Sequence, residues 1–531
     1  MMKKLFAFLF LIPFFGYSQS LEFSGKSLDF QNMLYPDSNN INVIIDNTSG
    51  YDINVTGVTF FSKYDHRPFY VFDSVFTITA GGTHTMTVFF KPEQNIFHEM
   101  QAVIHTDFRG DYLLDLRGSG LYGNPYYSGT FDKKEQALKD ELKNILASGY
   151  QQLSYNVARD NMYGSIDNVN GDVTCVYTAR VATFNTRPGA NSNNFNCEHT
   201  FPQGFFSQGL PMRSDIHHLF PTDVTSNSQR GNLKFGVVSG TPSWSNGGSK
   251  KGGGVFEPRD PHKGDVARAL FYFVVRYQDY SNHVEGQEAI LRDWYYNDLP
   301  DAKETQRNDD IFAVQNNRNP FVDYPQFLKR IQKISGNSVA PTVKALYVSR
   351  DTVDMRFETD SLYYTIGIVN TGNQTITMTN FDIPNSNNFS LAQTHGTEVL
   401  APGKGLEIKI NVTPTANTIA TDFLTFDSDA TGMSQVSIAL LGEWTTVSTP
   451  EIEAKDDVEV FPNPSTESVN IVWEGYSNYQ IQIYNVLGEL VYNGQSYANR
   501  SNIQISNLEA GAYWVKVIKG EQVRKTVLMI K

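Results

Sequence analysis

The sequence predicts a multidomain protein in which a central α+β domain is flanked by two all-β sandwiches, with a further β-sandwich at the end of the chain. The chain has 531 residues, which at roughly 150 residues per domain leaves room for three or four domains. Apolar and polar residues alternate towards both ends, as in strands, whereas the middle of the chain has helical spacing. Hydrophobic residues make up 40% of the chain and aromatic residues 13%, so each domain has material for a packed core.

The first residues predict a cleaved secretory signal peptide at residues 1–18. A short basic start, Met1 to Lys4, precedes an apolar run from Leu5 to Phe15 and a small, polar ending at Ser18. The alternative is a membrane anchor, but this run of ~11 residues is short against the ~20 that span a bilayer. No later apolar run is long enough, which predicts that the mature chain has no transmembrane segment.

Residues 20–120 and 340–446 are predicted to form two related β-sandwiches. Ile41 to Gly50 has period-two alternation that ends in a turn cluster, and Tyr364 to Gly372 repeats this plan. The repetition indicates an internal duplication that flanks another domain. Both stretches resemble the immunoglobulin-like modules, of the kind found in cilia-associated proteins, that recur in large bacterial secreted proteins.

The central domain, residues 122–335, is predicted from a change to helical periodicity. Lys133 to Leu146 places leucines on one face, and Val266 to Tyr277 is a strongly apolar helix. Because this region differs from its neighbours and has its own core, we expect the chemistry of the protein to reside there.

Polar residues in this domain concentrate around Glu198-His199 and between Asp215 and Asn232. Neighbouring Glu and His with a nearby Asn indicate a divalent metal beside a proton acceptor. A His-Glu-x-x-His phrase for zinc is absent. Oxygen ligands favour one Mg²⁺, with Mn²⁺ or Ca²⁺ as alternatives, and this chemistry suits phosphodiester hydrolysis.

The ordered phrases Glu198-His199-x-x-Pro202-Gln203, Asp215-x-His217-His218-Leu219 and Asn227-x-x-Arg230-Gly231-Asn232 resemble those of the endonuclease I family, a group of ββα-metal nucleases. The resemblance spans nearly all of residues 122–335. It implies that Glu198 and Asn227 bind the metal and that His199 is the general base. The implied activity is a secreted endonuclease with little sequence preference, which cuts DNA, with RNA as a further substrate, and leaves 5′-phosphate ends.

A phosphate-binding arginine that some family members carry in a cysteine-bearing insertion has no clear counterpart in this sequence. Arg213, Arg230 and Arg268 are the open alternatives, and Arg230 and Asn232 are predicted substrate contacts on the same helix start. On its apolar helix, Arg268 also fits a buried ion pair. His217 and His218 fit structural roles better than catalytic ones.

Cys175 and Cys197 are the two cysteines of the chain. A bridge between them would fix the strand that carries Glu198, while two buried free thiols fit the sequence equally well.

The last segment, 458–531, follows a predicted linker at 447–457 and closely resembles the C-terminal sorting domain of type IX secretion cargo. The phrases that carry the resemblance include Val460-Phe461-Pro462-Asn463-Pro464 and Leu508-Glu509-Ala510-Gly511. The resemblance implies that the outer-membrane secretion machinery is a partner and that the protein is extracellular or attached to the cell surface.

The formal net charge of −13 argues against a protein that coats nucleic acid along its whole length. The central region, 121–335, has 23 basic and 23 acidic residues, so it is neutral and compatible with transient, salt-sensitive substrate binding. The competing hypothesis is a surface adhesion protein that keeps an inactive nuclease fold as a scaffold. The intact set of Glu198, His199 and Asn227 argues against this alternative.

Overall fold

The computed structural model describes residues 21–61, 67–355, 362–384, 387–415, 418–444, 458–473, 478–485, 488–520 and 522–531. The predicted signal peptide and the predicted linker at 447–457 lie outside these residues. The chain divides into two compact units, with the boundary between Thr445 and Thr446.

The first part of the larger unit is a sandwich of a four-stranded sheet, in the order β1-β3-β7-β5, and a five-stranded sheet, in the order β2-β9-β8-β4-β6. Period-two alternation turns Val43 and Ile45 of one strand and Met86 and Val88 of its neighbour into the core between the sheets. The strands are β1 (Leu21–Phe23), β2 (Ser27–Leu34), β3 (Asn39–Asn47), β4 (Ile53–Phe60), β5 (Phe69–Tyr70), β6 (Phe76–Ile78), β7 (Thr83–Phe90), β8 (Phe97–Thr106) and β9 (Tyr112–Leu121).

The central region combines short strands with helices that surround one buried helix, α5. This helix is buried from Val266 to Arg276 and packs against α1 and α6. The helices are α1 (Glu135–Ala147), α2 (Tyr155–Asn161), α3 (Arg187–Ser192), α4 (Val224–Arg230), α5 (Lys263–Arg276), α6 (Glu288–Asn297), α7 (Ala302–Gln315) and α8 (Pro320–Asp323). The strands are β10 (Asn168–Val169), β11 (Asp172–Thr174), β12 (Val181–Thr183), β13 (Phe195–His199), β14 (Leu219–Asp223), β15 (Lys234–Phe235), β16 (Trp244–Asn246), β17 (Ser249–Gly252) and β18 (Val255–Glu257).

The second sandwich has sheets in the orders β19-β21-β25-β23 and β20-β27-β26-β22-β24. Its strands are β19 (Leu346–Val348), β20 (Thr352–Asp354), β21 (Leu362–Asn370), β22 (Ile376–Asp382), β23 (Phe389–Leu391), β24 (Glu398–Leu400), β25 (Gly405–Val412), β26 (Thr418–Ser428) and β27 (Gln435–Trp444). Strand for strand, this is the topology of the first sandwich, including a parallel pair at one edge of the larger sheet.

One buried asparagine occupies the same position in both sandwiches. Asn47 ends β3 and Asn370 ends β21, and each donates through Nδ2 to carbonyl oxygens of a neighbouring loop and strand. Each also accepts, through Oδ1, a backbone N–H two residues further on, at 2.9 Å. The shared topology and the shared hydrogen bonds of this buried asparagine support a duplication within the chain.

The two sandwiches contact each other directly. The Arg350 guanidinium bonds both carboxylate oxygens of the buried Asp111, at 2.8 and 3.0 Å. From the second sandwich, Glu407 Oε1 accepts hydrogen bonds from Lys26 Nζ at 2.6 Å and from the backbone N–H of Leu113 at 2.8 Å. Both contacts involve charged groups, and a bidentate arginine–carboxylate pair fixes geometry as well as distance.

Gly110 allows a close backbone approach between the two sandwiches. It has a φ of +109°, and a Cβ at this position would lie 1.9 Å from the carbonyl oxygen of Thr365. Only glycine fits both the positive φ and the close approach of a second backbone.

We expect Gly110→Ala to weaken this contact and to destabilise the larger unit by about 3 kcal/mol, since the added Cβ meets backbone atoms in a strained conformation. Thermal unfolding of the full chain measures the loss. Gly25→Ala is the matched control, because a Cβ at Gly25 meets nothing within 4 Å. Equal melting temperatures for the two variants would contradict the proposed role of Gly110.

The second unit is a smaller sandwich with sheets in the orders β28-β29-β32 and β31-β30-β33-β34. Trp473, Ile481, Val515 and Leu528 are buried between the sheets. The strands are β28 (Val458–Phe461), β29 (Ser468–Trp473), β30 (Tyr479–Tyr484), β31 (Leu490–Ser496), β32 (Arg500–Gln504), β33 (Gly511–Lys519) and β34 (Gln522–Ile530).

Candidate active site

A two-stranded antiparallel sheet and the helix that follows it bring the predicted catalytic residues together. β13 pairs with β14, and α4 begins directly after β14. Asp223 caps this helix, since its Oδ1 accepts the backbone N–H of Ser226 at 2.8 Å. Glu198 and His199 therefore lie at the end of β13, with Asn227 on the adjoining helix.

Glu198 is held by two buried side chains. Its Oε1 accepts a hydrogen bond from the Tyr177 hydroxyl at 2.8 Å and lies 3.2 Å from Arg230 Nε. Burial raises the pKa of this carboxyl above its ordinary value, against the lowering effect of Arg230 and of the Tyr177 hydroxyl. Both contacts end on Oε1, and no hydrogen bond from the described residues ends on Oε2.

His199 has one nitrogen engaged by the backbone. Its Nε2 lies 3.1 Å from the carbonyl oxygen of Arg213, which can only accept, so Nε2 carries the proton. In the neutral ring, Nδ1 is then the acceptor. Burial lowers the pKa of His199 well below its usual 6.5, and the neighbouring His218 lowers it further. These effects favour the neutral imidazole.

Asn227 is oriented by the strand that carries Glu198. Its side chain is half-buried, and Nδ2 donates to the carbonyl oxygen of Cys197 at 3.4 Å. Because a carbonyl cannot donate, the amide nitrogen faces Cys197 and Oδ1 is available as a ligand. A carboxylate oxygen and an amide oxygen fit a hard divalent cation such as Mg²⁺. No group of three or more His, Cys, Asp or Glu side chains in the described residues is arranged to hold a metal, so a zinc-type ligand set is absent there.

The three arginines that the sequence offers as candidates for phosphate binding lie in different environments. Arg230 is buried, and besides Glu198 it bonds the carbonyl oxygens of Thr200 and Gly231 at 2.5 and 2.7 Å. Its guanidinium therefore positions the Glu198 carboxylate, and the burial of Arg230 does not favour the predicted substrate contact. Asn232 is exposed in the loop after α4, and Arg230 is the last residue of that helix, so the prediction that both lie on a helix start is wrong.

Arg268 does not lie at this site. Its guanidinium pairs with Glu304 at 2.6 Å and with Asp265 at 3.3 Å, and its side chain is 1% exposed. This position does not agree with the predicted substrate contact. It agrees with the alternative, in which an arginine on an apolar helix is neutralised by an ion pair.

Arg213 remains beside His199. Its guanidinium carbon lies 4.5 Å from the centre of the Tyr155 ring, which is itself 5.5 Å from the His199 ring. Sequence reasoning missed Tyr155 and Tyr177 as part of the site. Neither residue stands in a phrase with catalytic spacing, and only tertiary packing brings them to β13.

Asp215 and the two histidines after it build the core under the site. Asp215 Oδ2 accepts bonds from Arg276, Tyr272 and Tyr277 at 2.6 to 2.9 Å. Burial alone would raise the pKa of Asp215, but Arg276, the imidazoles of His217 and His218 and a hydrogen bond from Gln315 lower it to about 2. His217 and His218 each donate through Nε2 to a backbone carbonyl, at 3.0 and 2.7 Å, so their contacts are structural.

Both cysteines are buried free thiols. Cys175 Sγ lies 3.2 Å from Asp223 Oδ2 at the start of α4, and Cys197 lies on β13 between Asn196 and Glu198. This is the second of the two arrangements that the sequence left open. The thiols pack the ββα unit from inside and do not cross-link it.

The arrangement defines a nuclease of the ββα-metal class. A family model described as endonuclease I matches residues 134–326. An extracellular ribonuclease of Bacillus subtilis (strain 168) is 34% identical over 226 residues, which cover 39% of this chain and 77% of that protein. The chain belongs to the endonuclease I family and is a nuclease.

Two further relatives are also extracellular nucleases. An extracellular ribonuclease of Bacillus amyloliquefaciens is 33% identical over 238 residues, covering 39% of this chain and 77% of that protein. An extracellular deoxyribonuclease of Aeromonas hydrophila is 31% identical over 117 residues, covering 21% of this chain and 50% of that protein.

Residues 459–531 match the model of a secretion system C-terminal sorting domain. The protein is therefore secreted or held at the cell surface. Within the described residues, no helix has the length and apolarity needed to cross a bilayer.

Proposed function

We propose that this protein is a divalent-metal-dependent endonuclease that hydrolyses DNA and RNA with little sequence preference. The observation that carries the proposal is that one ββα unit holds Glu198 and His199 at the end of β13 and Asn227 on α4, with the Asn227 amide bonded to the carbonyl oxygen of Cys197 on the same strand. A scaffold without activity has no chemical need for these three groups together.

His199 is the general base in this proposal. The Arg213 carbonyl holds Nε2–H, so Nδ1 faces away from that carbonyl and takes a proton from the attacking water. A neutral ring is required for this step, and burial favours that form. The attack is in line with the leaving 3′ oxygen and gives 5′-phosphate ends.

Glu198 and Asn227 would hold one Mg²⁺, with Mn²⁺ or Ca²⁺ as alternatives. When bound, the cation would supply charge stabilisation for the phosphate and for the leaving oxygen. Tyr177 and Arg230 fix the carboxylate through Oε1 and leave Oε2 for the ion. Hydrogen bonds of this kind to a metal ligand orient it for metal binding.

Arg213 is the arginine best placed for the scissile phosphate. It lies on the segment whose backbone holds His199, and no carboxylate among the described residues pairs with it. Arg230 and Arg268, by contrast, are each paired with a glutamate. A planar guanidinium matches two phosphate oxygens at once.

Both nucleic acids are proposed as substrates because an external water does not need the 2′-hydroxyl of RNA and does not reject it. The relatives include extracellular ribonucleases and an extracellular deoxyribonuclease, which fits a substrate range that includes both nucleic acids. The sorting domain is proposed to engage secretion machinery at the outer membrane.

The test uses the purified full chain with supercoiled plasmid and with a long RNA. We expect cleavage of both in Mg²⁺, no cleavage in excess chelator, and recovery when Mg²⁺ is restored. Asn227→Ala should raise the Mg²⁺ concentration for half-maximal activity by about tenfold or more, because the cation loses a ligand. Asn191→Ala, at an exposed position on α3, is the matched control.

If both polymers stay intact at every Mg²⁺, Mn²⁺ and Ca²⁺ concentration, the protein is not a metal-dependent nuclease. Full activity in chelator would instead remove the metal from the proposal.

A further inference from the structure

One aromatic ring beside the active site is bracketed by two arginines. The guanidinium carbon of Arg159 lies 4.3 Å from the centre of the Tyr155 ring, and that of Arg213 lies 4.5 Å from the same centre. Tyr155 and Arg159 are four residues apart on α2, so they share one face of this helix. We call these three residues the arginine–tyrosine cluster.

Neither arginine of the cluster is neutralised by a carboxylate of the described residues. Arg159 bonds the amide oxygen of Asn156 at 2.8 Å, and the Nε atoms of Arg159 and Arg213 are buried without a hydrogen-bond partner in that part of the chain. Seven of the other arginines of the central region have carboxylate partners: Arg187, Arg230, Arg268, Arg276, Arg292, Arg307 and Arg318.

Two cations held against one ring repel each other, and the ring compensates for only part of this repulsion. A ligand that carries two negative charges would relieve the rest. The cluster therefore fits an anion with repeated charges better than a single carboxylate.

The position of the cluster indicates which anion. The Tyr155 ring is 5.5 Å from the His199 ring, and the Arg213 carbonyl holds His199 Nε2. Arg213 therefore lies next to the proposed site of cleavage, and Arg159, in the last turn of α2, lies against the same ring as Arg213. A nucleic-acid strand carries a phosphate on every nucleotide, so a strand with one phosphate at Arg213 presents the next one close by.

We propose that Arg159 binds a second phosphate of the substrate strand, next to the scissile phosphate at Arg213, and that Tyr155 holds both guanidinium groups in place. This proposal rests on the proposed nuclease function. It makes Arg159 a substrate-binding residue that favours a polymer over a diester with a single phosphate.

The test compares Arg159→Gln with Arg292→Gln, which removes the same charge from an arginine already paired with Glu288 at 2.9 Å. Binding of a fluorescein-labelled 12-nucleotide DNA is measured between 50 and 300 mM NaCl, with the full chain carrying His199→Ala so that the DNA is not cut. We expect about tenfold weaker binding and a salt slope lower by about 0.7, the value for one phosphate contact on a single strand. Arg159→Lys should restore the slope because it restores the charge.

A kinetic arm uses His199-containing protein. For Arg159→Gln, the loss of kcat/KM should be at least tenfold on the polymer and less than threefold on bis(p-nitrophenyl) phosphate, which has one phosphate. Wild-type binding and slope in Arg159→Gln, or equal losses in Arg292→Gln, would overturn the proposal. If the wild-type chain leaves the polymer intact in Mg²⁺, the proposed function has failed, and the binding result for Arg159 is then read separately from it.

Discussion

His199→Ala is expected to lower kcat for plasmid cleavage by about 10³-fold, within the range that a positioned general base contributes. Nδ1 of His199 is the acceptor that the Arg213 carbonyl leaves open, and alanine has no group that could take the proton from water. Conversion of supercoiled to nicked plasmid over time measures the rate.

Two observations complete this experiment. The variant should bind Mn²⁺ with wild-type affinity in a calorimetric titration, since Glu198 and Asn227 are unchanged. His84→Ala, in the first sandwich where the imidazole stacks on Phe76, is the matched control and should cleave at the wild-type rate. A His199→Ala rate within tenfold of wild type would rule out its role as the base.

Asp215→Asn is expected to destabilise the central region by about 3–5 kcal/mol, because it leaves Arg276 buried without its counter-charge. The carboxylate also accepts bonds from two tyrosine hydroxyls, and an amide can replace these contacts only in part. Residual nuclease activity is measured after heating to a series of temperatures, and the midpoint temperature of its loss should fall by about 10 °C. A midpoint within 2 °C of wild type would show that the buried pair contributes little.

The same carboxylate predicts how this difference depends on pH. Its pKa is about 2 in the folded protein against an ordinary value of 3.8. A lowered pKa means that the stability contributed by Asp215 is fully present above about pH 4 and is lost as the pH falls towards 2. Urea titrations should therefore show the gap between wild type and Asp215→Asn closing over that interval, and a constant gap would contradict the assignment.

The organisation of the chain could be predicted because each part has its own periodicity. Alternation in β3 and β21 indicated two sandwiches of one plan, and the leucines of α1 indicated a helix that the structure places at Glu135–Ala147. The direct contact between the sandwiches could not be predicted, since Arg350 and Asp111 meet through pairing of residues more than two hundred positions apart.

Some residues of the candidate site could likewise be predicted from the sequence, and others could not. Glu198, His199 and Asn227 stand in ordered phrases, so their residue types and order were enough to propose their roles. Tyr177 and Tyr155 act through where the fold places them, and a tyrosine in a short loop or helix has no distinguishing spacing. The burial of Arg230 could not be predicted either, because an arginine at the end of a helix can be exposed as readily as buried.

The contact between the sandwiches has a consequence for the nuclease between them. Arg350, Glu407 and the close approach at Gly110 act as a non-covalent cross-link around the segment from residue 122 to residue 345. While the two sandwiches stay folded and in contact, they hold the ends of this segment together and so lower its entropy when the segment alone unfolds, a restraint that needs no disulfide, and both cysteines of the chain are free. A protease that nicks the nuclease would therefore leave two fragments still fastened together, which suits an enzyme that works outside the cell.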